Sequence, residues 1–167
     1  MIVKIKKLRD DAAKPEIGSK FSAGYDLRAC LDYEILSISP HQTVKVSTGL
    51  AMEIPIGYFG AIFARSGVAT KKGMRPANCV GVIDADYRGE IIVAIHNDTD
   101  FNQVIENGER IAQIVILPCN SVDFKVVDEL SSTDRGDGGF GSSGEKEVKK
   151  KKPRDSDMRY SVAYGEW

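Results

Sequence analysis

Short apolar runs alternate with turn-forming residues along the first 130 positions of the chain. The runs are rich in β-branched side chains and are bounded by Gly, Pro, Asn, Asp or Ser, which is typical of short strands. One stretch predicts a helix, because residues 68–72 follow Ser66, a good N-cap, and stop at Gly73. The pattern therefore predicts an all-β fold, a barrel or a jelly roll, with one short helix. The predicted strands cover residues 1–8, 25–27, 33–38, 43–46, 50–54, 58–63, 110–118 and 122–127.

Residues 77–95, ANCVGVIDADYRGEIIVAI, contain the densest group of candidate functional side chains. Apolar, β-branched arms flank a polar segment, 84–90, and this arrangement predicts a β-hairpin. The polar tip carries Asp84 and Tyr87, and Asn78 lies at its base. An acid, a flat ring and an amide on one stiff element suit a reaction site, although an Asp in a hairpin is also a common turn former.

Two further segments have the composition of phosphate-binding elements. Arg65-Ser66-Gly67 combines a fixed cation, a hydroxyl group and the free backbone N–H groups of a helix start, which attract anions. A capped helix beside a solvated arginine is the equal alternative. The segment 131–144, SSTDRGDGGFGSSG, is rich in Gly and Ser and carries one aromatic residue, Phe140. It lacks the lysine of a Walker loop, so it is either a flexible linker or a strap whose ring stacks on a bound base.

Two single polar residues interrupt predicted strands. Gln113 lies within the apolar run RIAQIVILP, so it should be satisfied internally or should face a site. Asp26, in AGYDL, is either a turn former or a functional acid. His41 and His96 have no partners at metal-ligand spacing, and we interpret both as structural or surface residues.

The composition is that of an ordinary globular protein. Its 167 residues are 42% hydrophobic and 28% charged, and the net charge of -1 argues against a general nucleic-acid binder. No apolar run approaches the roughly 20 residues of a membrane span, so we expect neither a nucleic-acid nor a membrane partner. Cys30, Cys79 and Cys119 are odd in number and far apart, which predicts reduced thiols in the cytoplasm. Cys79 follows Asn78, so it is either a residue near the site or, as we expect, a small buried side chain.

Five segments of the chain, taken together and in order, closely resemble the five motifs of the homotrimeric deoxyuridine triphosphate nucleotidohydrolases (dUTPases). They read AGYDL, ARSG, NCVGVIDADYRG, GERIAQIVI and RGDGGFGSSG, and the resemblance covers residues 1–144. It implies a distorted jelly-roll β-barrel and a homotrimer whose three active sites are shared between chains. The implied reaction converts dUTP and water into dUMP and pyrophosphate with Mg²⁺, which limits uracil incorporation into DNA and supplies dUMP for dTMP synthesis.

The resemblance implies a role for each residue of the central segment. Asp84 would orient and deprotonate the water that attacks the α-phosphorus. Tyr87 would lie against the deoxyribose and leave no room for a 2′-hydroxyl. Asn78 and the backbone around Val82 and Ile83 would pair with the uracil edge, where cytosine would leave polar groups unpaired.

The resemblance also implies a phosphate and metal site. Arg65, Ser66 and Gly67 would bind the phosphates, and Gln113 would lie near the phosphates and the attacking water. Asp26 corresponds to the acid of the first motif, which acts on Mg²⁺ through water. The ion itself would be held by the triphosphate and by waters, as a hard octahedral ion prefers, so no direct protein ligand is expected.

The resemblance divides the chain into three parts. Residues 1–130 would form the β-barrel domain, and residues 131–144 would form an extended arm that closes over a neighbouring chain's nucleotide. The Lys-rich extension, 145–167, departs from the family, and we expect a solvated spacer or a contact for an unidentified partner. The arm residues that match the fifth motif are Arg135, Phe140, Gly141 and Ser142.

Two other functions stay open. A dCTP deaminase would use the same scaffold, but the tip sequence Asp-Ala-Asp-Tyr-Arg-Gly favours dUTP hydrolysis over deamination. A trimer that serves as a regulatory binding protein, with residues 145–167 as its contact, is the non-enzymatic alternative, and it is compatible with catalysis.

Overall fold

Twelve strands and one short helix make up residues 1–139, the part of the chain that the structure, a computed structural model, describes. The all-β class predicted from the sequence is confirmed. Within these residues, no helix has the length and hydropathy that crossing a membrane would require. The elements are β1 (Lys4–Lys7), β2 (Glu16–Ile17), β3 (Tyr25–Arg28), β4 (Ile35–Ile38), β5 (Thr43–Ser47), β6 (Leu50–Glu53), β7 (Tyr58–Phe63), α1 (Ser66–Lys71), β8 (Met74–Pro76), β9 (Gly81–Ile83), β10 (Ile92–Asn97), β11 (Gln103–Glu106) and β12 (Arg110–Pro118).

The strands pair in an antiparallel manner and mostly with partners that are distant in sequence. The largest sheet has five strands in the order β2-β3-β12-β7-β9, and a second sheet has three in the order β5-β10-β8. The pairs β1-β6 and β11-β4 complete the sheets of the described residues. The five-stranded sheet is the one that positions the candidate site, because β3, β7, β9 and β12 carry or precede most of its residues.

Alternate residues of the strands turn toward one shared core, as the period of two in a strand requires. In β10, Val93 and Ile95 are buried, whereas Ile92 is exposed. The residue that precedes β10, Ile91, is fully buried and anchors the end of the polar segment in this core. The apolar side chains with no exposed surface are Leu27, Ile38, Val46, Leu50, Ile91, Ile95 and Ala112.

The hairpin predicted for residues 77–95 is wrong. Its first arm, β9, pairs with β7, whereas its second arm, β10, pairs with β5 and β8. The polar loop 84–91 therefore crosses from one sheet to another. Both arms have the alternating or apolar pattern of a strand, and that pattern is the same whether a strand pairs with its neighbour in sequence or with a distant one.

The start of α1 also differs from the prediction. Arg65 is the N-cap residue, Ser66 is the first residue of the helix, and no side chain caps the first turn. The predicted stop is confirmed, because Gly73 has a φ of +58°, a left-handed conformation that glycine adopts without strain. The shift of one residue places the Arg65 side chain at the mouth of the helix rather than before it.

The strand predicted for residues 122–127 is not formed. The alternating apolar side chains of Val122, Phe124 and Val126 are all exposed. An alternating segment becomes a strand only when another strand offers its backbone groups.

The chain divides into two compact units, residues 1–123 and 124–167. The described part of the second unit ends at residue 139 and contains a tight turn. The N–H of Gly136 donates to the carbonyl of Thr133 at 3.0 Å, and Gly136 has a φ of +53°.

The three cysteines are free thiols, as predicted. Cys30 is buried, and burial is the largest of the effects that raise the pKa of its thiol, so the thiolate is disfavoured. Cys79 is exposed with a φ of +61°, and the expectation that it is buried is wrong. It lies in the turn that precedes β9, where the chain reverses at the surface.

Candidate active site

Three of the predicted site residues meet across the inner strands of the five-stranded sheet. In the register of β3, β12 and β7, Gln113 lies directly opposite Asp26 on one side and Phe63 on the other. Residues directly opposite in antiparallel strands project from the same face. Arg65 follows the end of β7 by two residues, so it reaches the same place. We call Asp26, Arg65 and Gln113 the basic row.

The carboxylate of Asp26 is held by two arginines. Arg65 Nε donates to Asp26 Oδ1 at 2.6 Å, and Arg110 Nη1 donates to Asp26 Oδ2 at 3.3 Å. The Asp26 side chain is only 13% exposed, so both contacts are partly shielded from water. Within the described residues, no hydrogen bond occupies the terminal nitrogens of Arg65, which therefore stay available as donors to an anion. Sequence reasoning missed Arg110, although its place in the motif GERIAQIVI beside Gln113 was a usable signal.

Gln113 ties the segment that precedes α1 to the sheet. Its Nε2 donates to the carbonyl of Ala64 at 2.9 Å, which satisfies a half-buried amide inside an apolar strand. A Cβ atom at Gly24 would lie 2.3 Å from Gln113 Oε1. Gly24 is therefore required for this position of the amide. The expectation that Gln113 is satisfied internally is confirmed, and its place in a site stays a prediction.

Ser66 and Gly67 are exposed at the start of α1. The first N–H that closes a helical turn is that of Ala69, which donates to the carbonyl of Arg65 at 2.9 Å. The N–H groups before it have no partner within the helix. They share the mouth of the helix with the guanidinium group of Arg65, a combination that suits phosphate oxygens.

The other predicted residues line a separate recess of about 150 Å³ beside the loop that crosses between the sheets. Asp84 and Tyr87 are exposed at its rim, and the N–H of Tyr87 donates to the carbonyl of Asp84 at 3.2 Å in a turn. Asn78 does not line the recess. Its Nδ2 lies near Gly81, at the opposite end of β9, 3.6 Å from where a Cβ of that glycine would be. The lining consists of Val82, Ile83, Asp84, Tyr87, Glu90 and Ile92.

The recess and the basic row lie at opposite ends of β9. Ile83, the last residue before Asp84, is opposite Gly60 of β7, whereas Gln113 is opposite Phe63. Three residues of strand separate these two levels, which corresponds to roughly 10 Å. In one chain, the recess and the basic row therefore lie at different levels along the strands.

A larger cavity lies elsewhere and does not mark the site. It has about 360 Å³ and is lined mainly by apolar side chains near the N-terminal strand, among them Val3, Met52 and Ile114. None of the predicted site residues lines it. Its size reflects an uncovered apolar surface rather than converging polar groups, which are what distinguish a ligand site.

The Gly-rich arm is described only in its first part. Arg135 Nε donates to the carbonyl of Gly138 at 2.8 Å, which folds the arginine over its own turn. Phe140, Gly141 and Ser142, together with the extension 145–167, lie outside the described residues.

The dUTPase family model matches residues 10–144. The deoxyuridine 5'-triphosphate nucleotidohydrolase of Desulfitobacterium hafniense (strain DSM 10664 / DCB-2) is 51% identical over 145 residues, which cover 85% of this chain and 95% of that protein. The chain therefore belongs to the dUTPase family.

Solved structures of phage dUTPases share the fold. The dUTPase of Staphylococcus bacteriophage 80alpha, solved with dUpNHpp, superimposes with a TM-score of 0.78 at 33% identity and covers 86% of this chain and 98% of its own. A variant of the dUTPase from phage phi11 of S. aureus gives a TM-score of 0.71 at 26% identity over 79% of this chain and 100% of its own. That phi11 structure describes the coordination of a structural Mg(II) ion.

The position of Asp26 between two arginines generates a prediction about stability. Replacing Asp26 with Asn keeps the shape of the side chain but removes the charge that balances Arg65 and Arg110. We expect the free energy of unfolding to fall by about 1–3 kcal/mol, measured by urea denaturation near neutral pH at a fixed protein concentration.

The matched control is Asp100→Asn, because the contact of Asp100 with His41 is exposed, with 86% and 61% of the two side chains accessible. We expect the control to change stability by less than about 1 kcal/mol. Equal effects of the two substitutions would contradict the assigned role of Asp26.

Proposed function

We infer that this protein hydrolyses dUTP to dUMP and pyrophosphate through attack of water on the α-phosphorus. The observation that carries this conclusion is the recess in which an exposed carboxylate, Asp84, stands at the rim beside the Tyr87 ring and the apolar wall of β9. Membership in the dUTPase family and the name of the 51% identical relative support the same reaction. Such an activity removes a precursor of uracil in DNA and supplies dUMP for dTMP synthesis.

We propose that β9 binds the edge of the uracil base. This strand is the edge of its sheet and pairs only with β7 among the described strands, so the outward N–H and C=O groups around Val82 and Ile83 are free to pair with a planar base edge. The side chain of Asn78, at the start of β9, supplies a further donor and acceptor. Fixed groups that suit uracil leave unpaired polar atoms against cytosine, which is a costly mismatch.

The reacting water is proposed to be oriented by Asp84. Its carboxylate is exposed at the rim of the recess, where a water can reach both the acid and a phosphorus atom above the sugar. The ring of Tyr87 forms the wall against the deoxyribose. As in other phosphoryl transfers, positioning and charge neutralisation supply most of the rate enhancement.

The triphosphate is proposed to bind at the basic row and the mouth of α1. Arg65 has its terminal nitrogens available, and the N–H groups of Ser66 and Gly67 have no helical partner. Gln113 lies next to these groups, because it holds the carbonyl of Ala64. Arg135, Phe140, Gly141 and Ser142 of the arm are proposed to cover the bound nucleotide, as the family motif implies.

Mg²⁺ is proposed as the cofactor, in line with the ion described for the phi11 enzyme. Within residues 1–139, no group of three or more His, Cys, Asp or Glu side chains could hold a metal ion. Asp26 is already engaged by Arg65 and Arg110, which suits contact with the ion through water rather than direct ligation. When bound, the ion would neutralise phosphate charge, and triphosphate oxygens and waters suit its octahedral geometry.

A homotrimer with shared active sites is proposed from the geometry of the single chain. The recess of about 150 Å³ is smaller than the roughly 300–1,000 Å³ of typical small-molecule sites. The basic row lies at a different level along the strands from the recess. One nucleotide would therefore bind more readily to the recess of one chain and the basic row of another. The exposed apolar side chains of Val122, Phe124 and Val126 also favour contact with a neighbouring chain.

A cytoplasmic location is proposed from the three free cysteines. Unpaired thiols are typical of a reducing compartment.

A substrate panel tests the proposed function. We expect pyrophosphate release from dUTP in the presence of Mg²⁺, and poor turnover of dCTP, dTTP and UTP. Asp84→Asn should keep nucleotide binding and lose turnover by about 100-fold or more, because general bases contribute factors of this size. Steady-state assays with a pyrophosphate readout and dUpNHpp binding by calorimetry measure the two effects separately.

Full activity of Asp84→Asn would remove Asp84 as the base. Ammonia release from dCTP would replace the proposed reaction with deamination, and no turnover of dUTP by the unaltered protein would refute the proposal.

The contact between Gly24 and Gln113 generates a second prediction. Gly24→Ala adds a Cβ that would lie 2.3 Å from Gln113 Oε1, so the amide must leave its place beside Ala64. We expect kcat for dUTP to fall about as far as in Gln113→Ala, and the double variant to be no worse than either single variant. Additive losses in the double variant would show that Gly24 acts by another route.

Subunit mixing tests whether the sites are shared. Asp84→Asn chains and Arg65→Ala chains should each be inactive as homotrimers. If the two groups of one site come from different chains, random reassembly of an equal mixture restores about one quarter of the sites, because each intact site needs one chain of each kind in a defined order. No recovery of activity, or a monomer in sedimentation velocity, would contradict shared sites.

A further inference from the structure

The phenol ring of Tyr87 is held by two residues with no assigned part in the reaction, Gly89 and Glu90. The Tyr87 hydroxyl donates to the backbone carbonyl of Glu90 at 2.9 Å. A Cβ atom at Gly89 would lie 2.4 Å from the phenolic oxygen and 2.6 Å from Cζ. The ring therefore lies directly over Gly89, and any other residue there would push the ring away. The constraint is contact rather than backbone conformation, because Gly89 is not in the left-handed region.

Glu90 and the residue after it fasten the loop to the turn between β5 and β6. Glu90 Oε1 accepts from the N–H of Gly49 at 2.8 Å. The N–H of Ile91 donates to the carbonyl of Leu50 at 2.8 Å, and the hydroxyl of Thr48 donates to the carbonyl of Ile91 at 2.6 Å. Three consecutive hydrogen bonds thus fix the backbone whose carbonyl receives the phenol.

These contacts matter because core packing does not hold the ring. Tyr87 is 43% exposed, and it lines the recess. An exposed ring turns freely unless its hydroxyl and its underside are both engaged. In this loop, the hydroxyl is engaged by Glu90 and the underside by Gly89.

We propose that Gly89 and Glu90 are positioning residues that set the plane of Tyr87 before a nucleotide binds and so determine the discrimination between deoxyribose and ribose. This inference rests on the proposed function. A wall that excludes one hydroxyl group works only if it is fixed within less than the length of a C–O bond. The loop provides that rigidity without help from the nucleotide.

The test is the ratio of kcat/KM for dUTP to kcat/KM for UTP. Gly89→Ala should lower this ratio by about tenfold or more, because small displacements of a positioning group have effects of this size. Tyr87→Phe keeps the ring but loses the bond to Glu90, and it should lower the ratio by less. A purely structural role would reduce turnover of both nucleotides in proportion and leave the ratio unchanged.

Two substitutions at Glu90 test whether the hydrogen bond of its side chain with Gly49 is what matters. Glu90→Gln retains an oxygen that accepts from the N–H of Gly49, so it should keep the ratio of the unaltered protein. Glu90→Ala removes the acceptor and should lower the ratio. Equal ratios in Glu90→Ala and the unaltered protein would overturn the proposal, as would equal losses in both variants.

Gly18→Ala is the matched control for the glycine substitution, because the nearest atom to its added Cβ would be Ser22 Oγ at 3.9 Å. It should keep the ratio, and a folded Gly89→Ala that also keeps it would overturn the proposal. If Gly89→Ala does not fold, the Glu90 pair decides the matter alone. Failure of the unaltered protein to hydrolyse dUTP would refute the proposed function instead, and it is measured first.

Discussion

The passage of residues 84–91 from one sheet to another is the constraint on which the candidate site depends. At one end, β9 is hydrogen-bonded to β7. At the other end, Ile91 is fully buried and is hydrogen-bonded to Thr48 and Leu50. A loop anchored in two different sheets has few conformations left, so the acid and the phenol that it carries are placed before any ligand arrives. A free hairpin tip would hold the same side chains with less precision.

The contacts of Asp26 with Arg65 and Arg110 have a different effect, which is to keep two cations close together without leaving them unpaired. Two guanidinium groups against the one carboxylate of Asp26 leave a single net positive charge. The carboxylate is shielded from solvent, so it orients Arg65 more firmly than a surface ion pair would. Because Arg65 uses its Nε for this contact, its planar fork still presents two nitrogens in the geometry that phosphate oxygens require.

The sequence predicted what local pattern controls, and it failed where distant contacts decide. The strand at residues 58–63 followed from a short apolar run, and the stop at Gly73 followed from turn chemistry. The partner of β9 did not, because an apolar arm has the same pattern whichever strand it joins. Arg110 was missed for the same reason, since its contact with Asp26 depends on the register between β3 and β12.

The same distinction between local pattern and distant contacts applies to the residues of the candidate site. Asp84, Tyr87 and Gln113 stay predictions as site residues, and the sequence could suggest them because each falls within a recognisable motif. The roles of Gly24 and Gly89 were not visible, because each depends on a side chain that lies over the glycine in space. A glycine in a motif signals that something approaches its backbone closely, but the sequence does not say what approaches.

Because β9 is an edge strand, its unpaired backbone groups carry a risk of aggregation as well as a proposed use in binding. Unpaired N–H and C=O groups that can read a base can also pair with the strand of another molecule. Two features of the chain limit pairing with a strand of another molecule. The strand has three residues, from Gly81 to Ile83, which is too short to stabilise a foreign strand, and it runs directly into the exposed acids Asp84 and Asp86. The carboxylate of Asp84, for which we propose a role in orienting water, therefore also protects this edge from pairing with another strand.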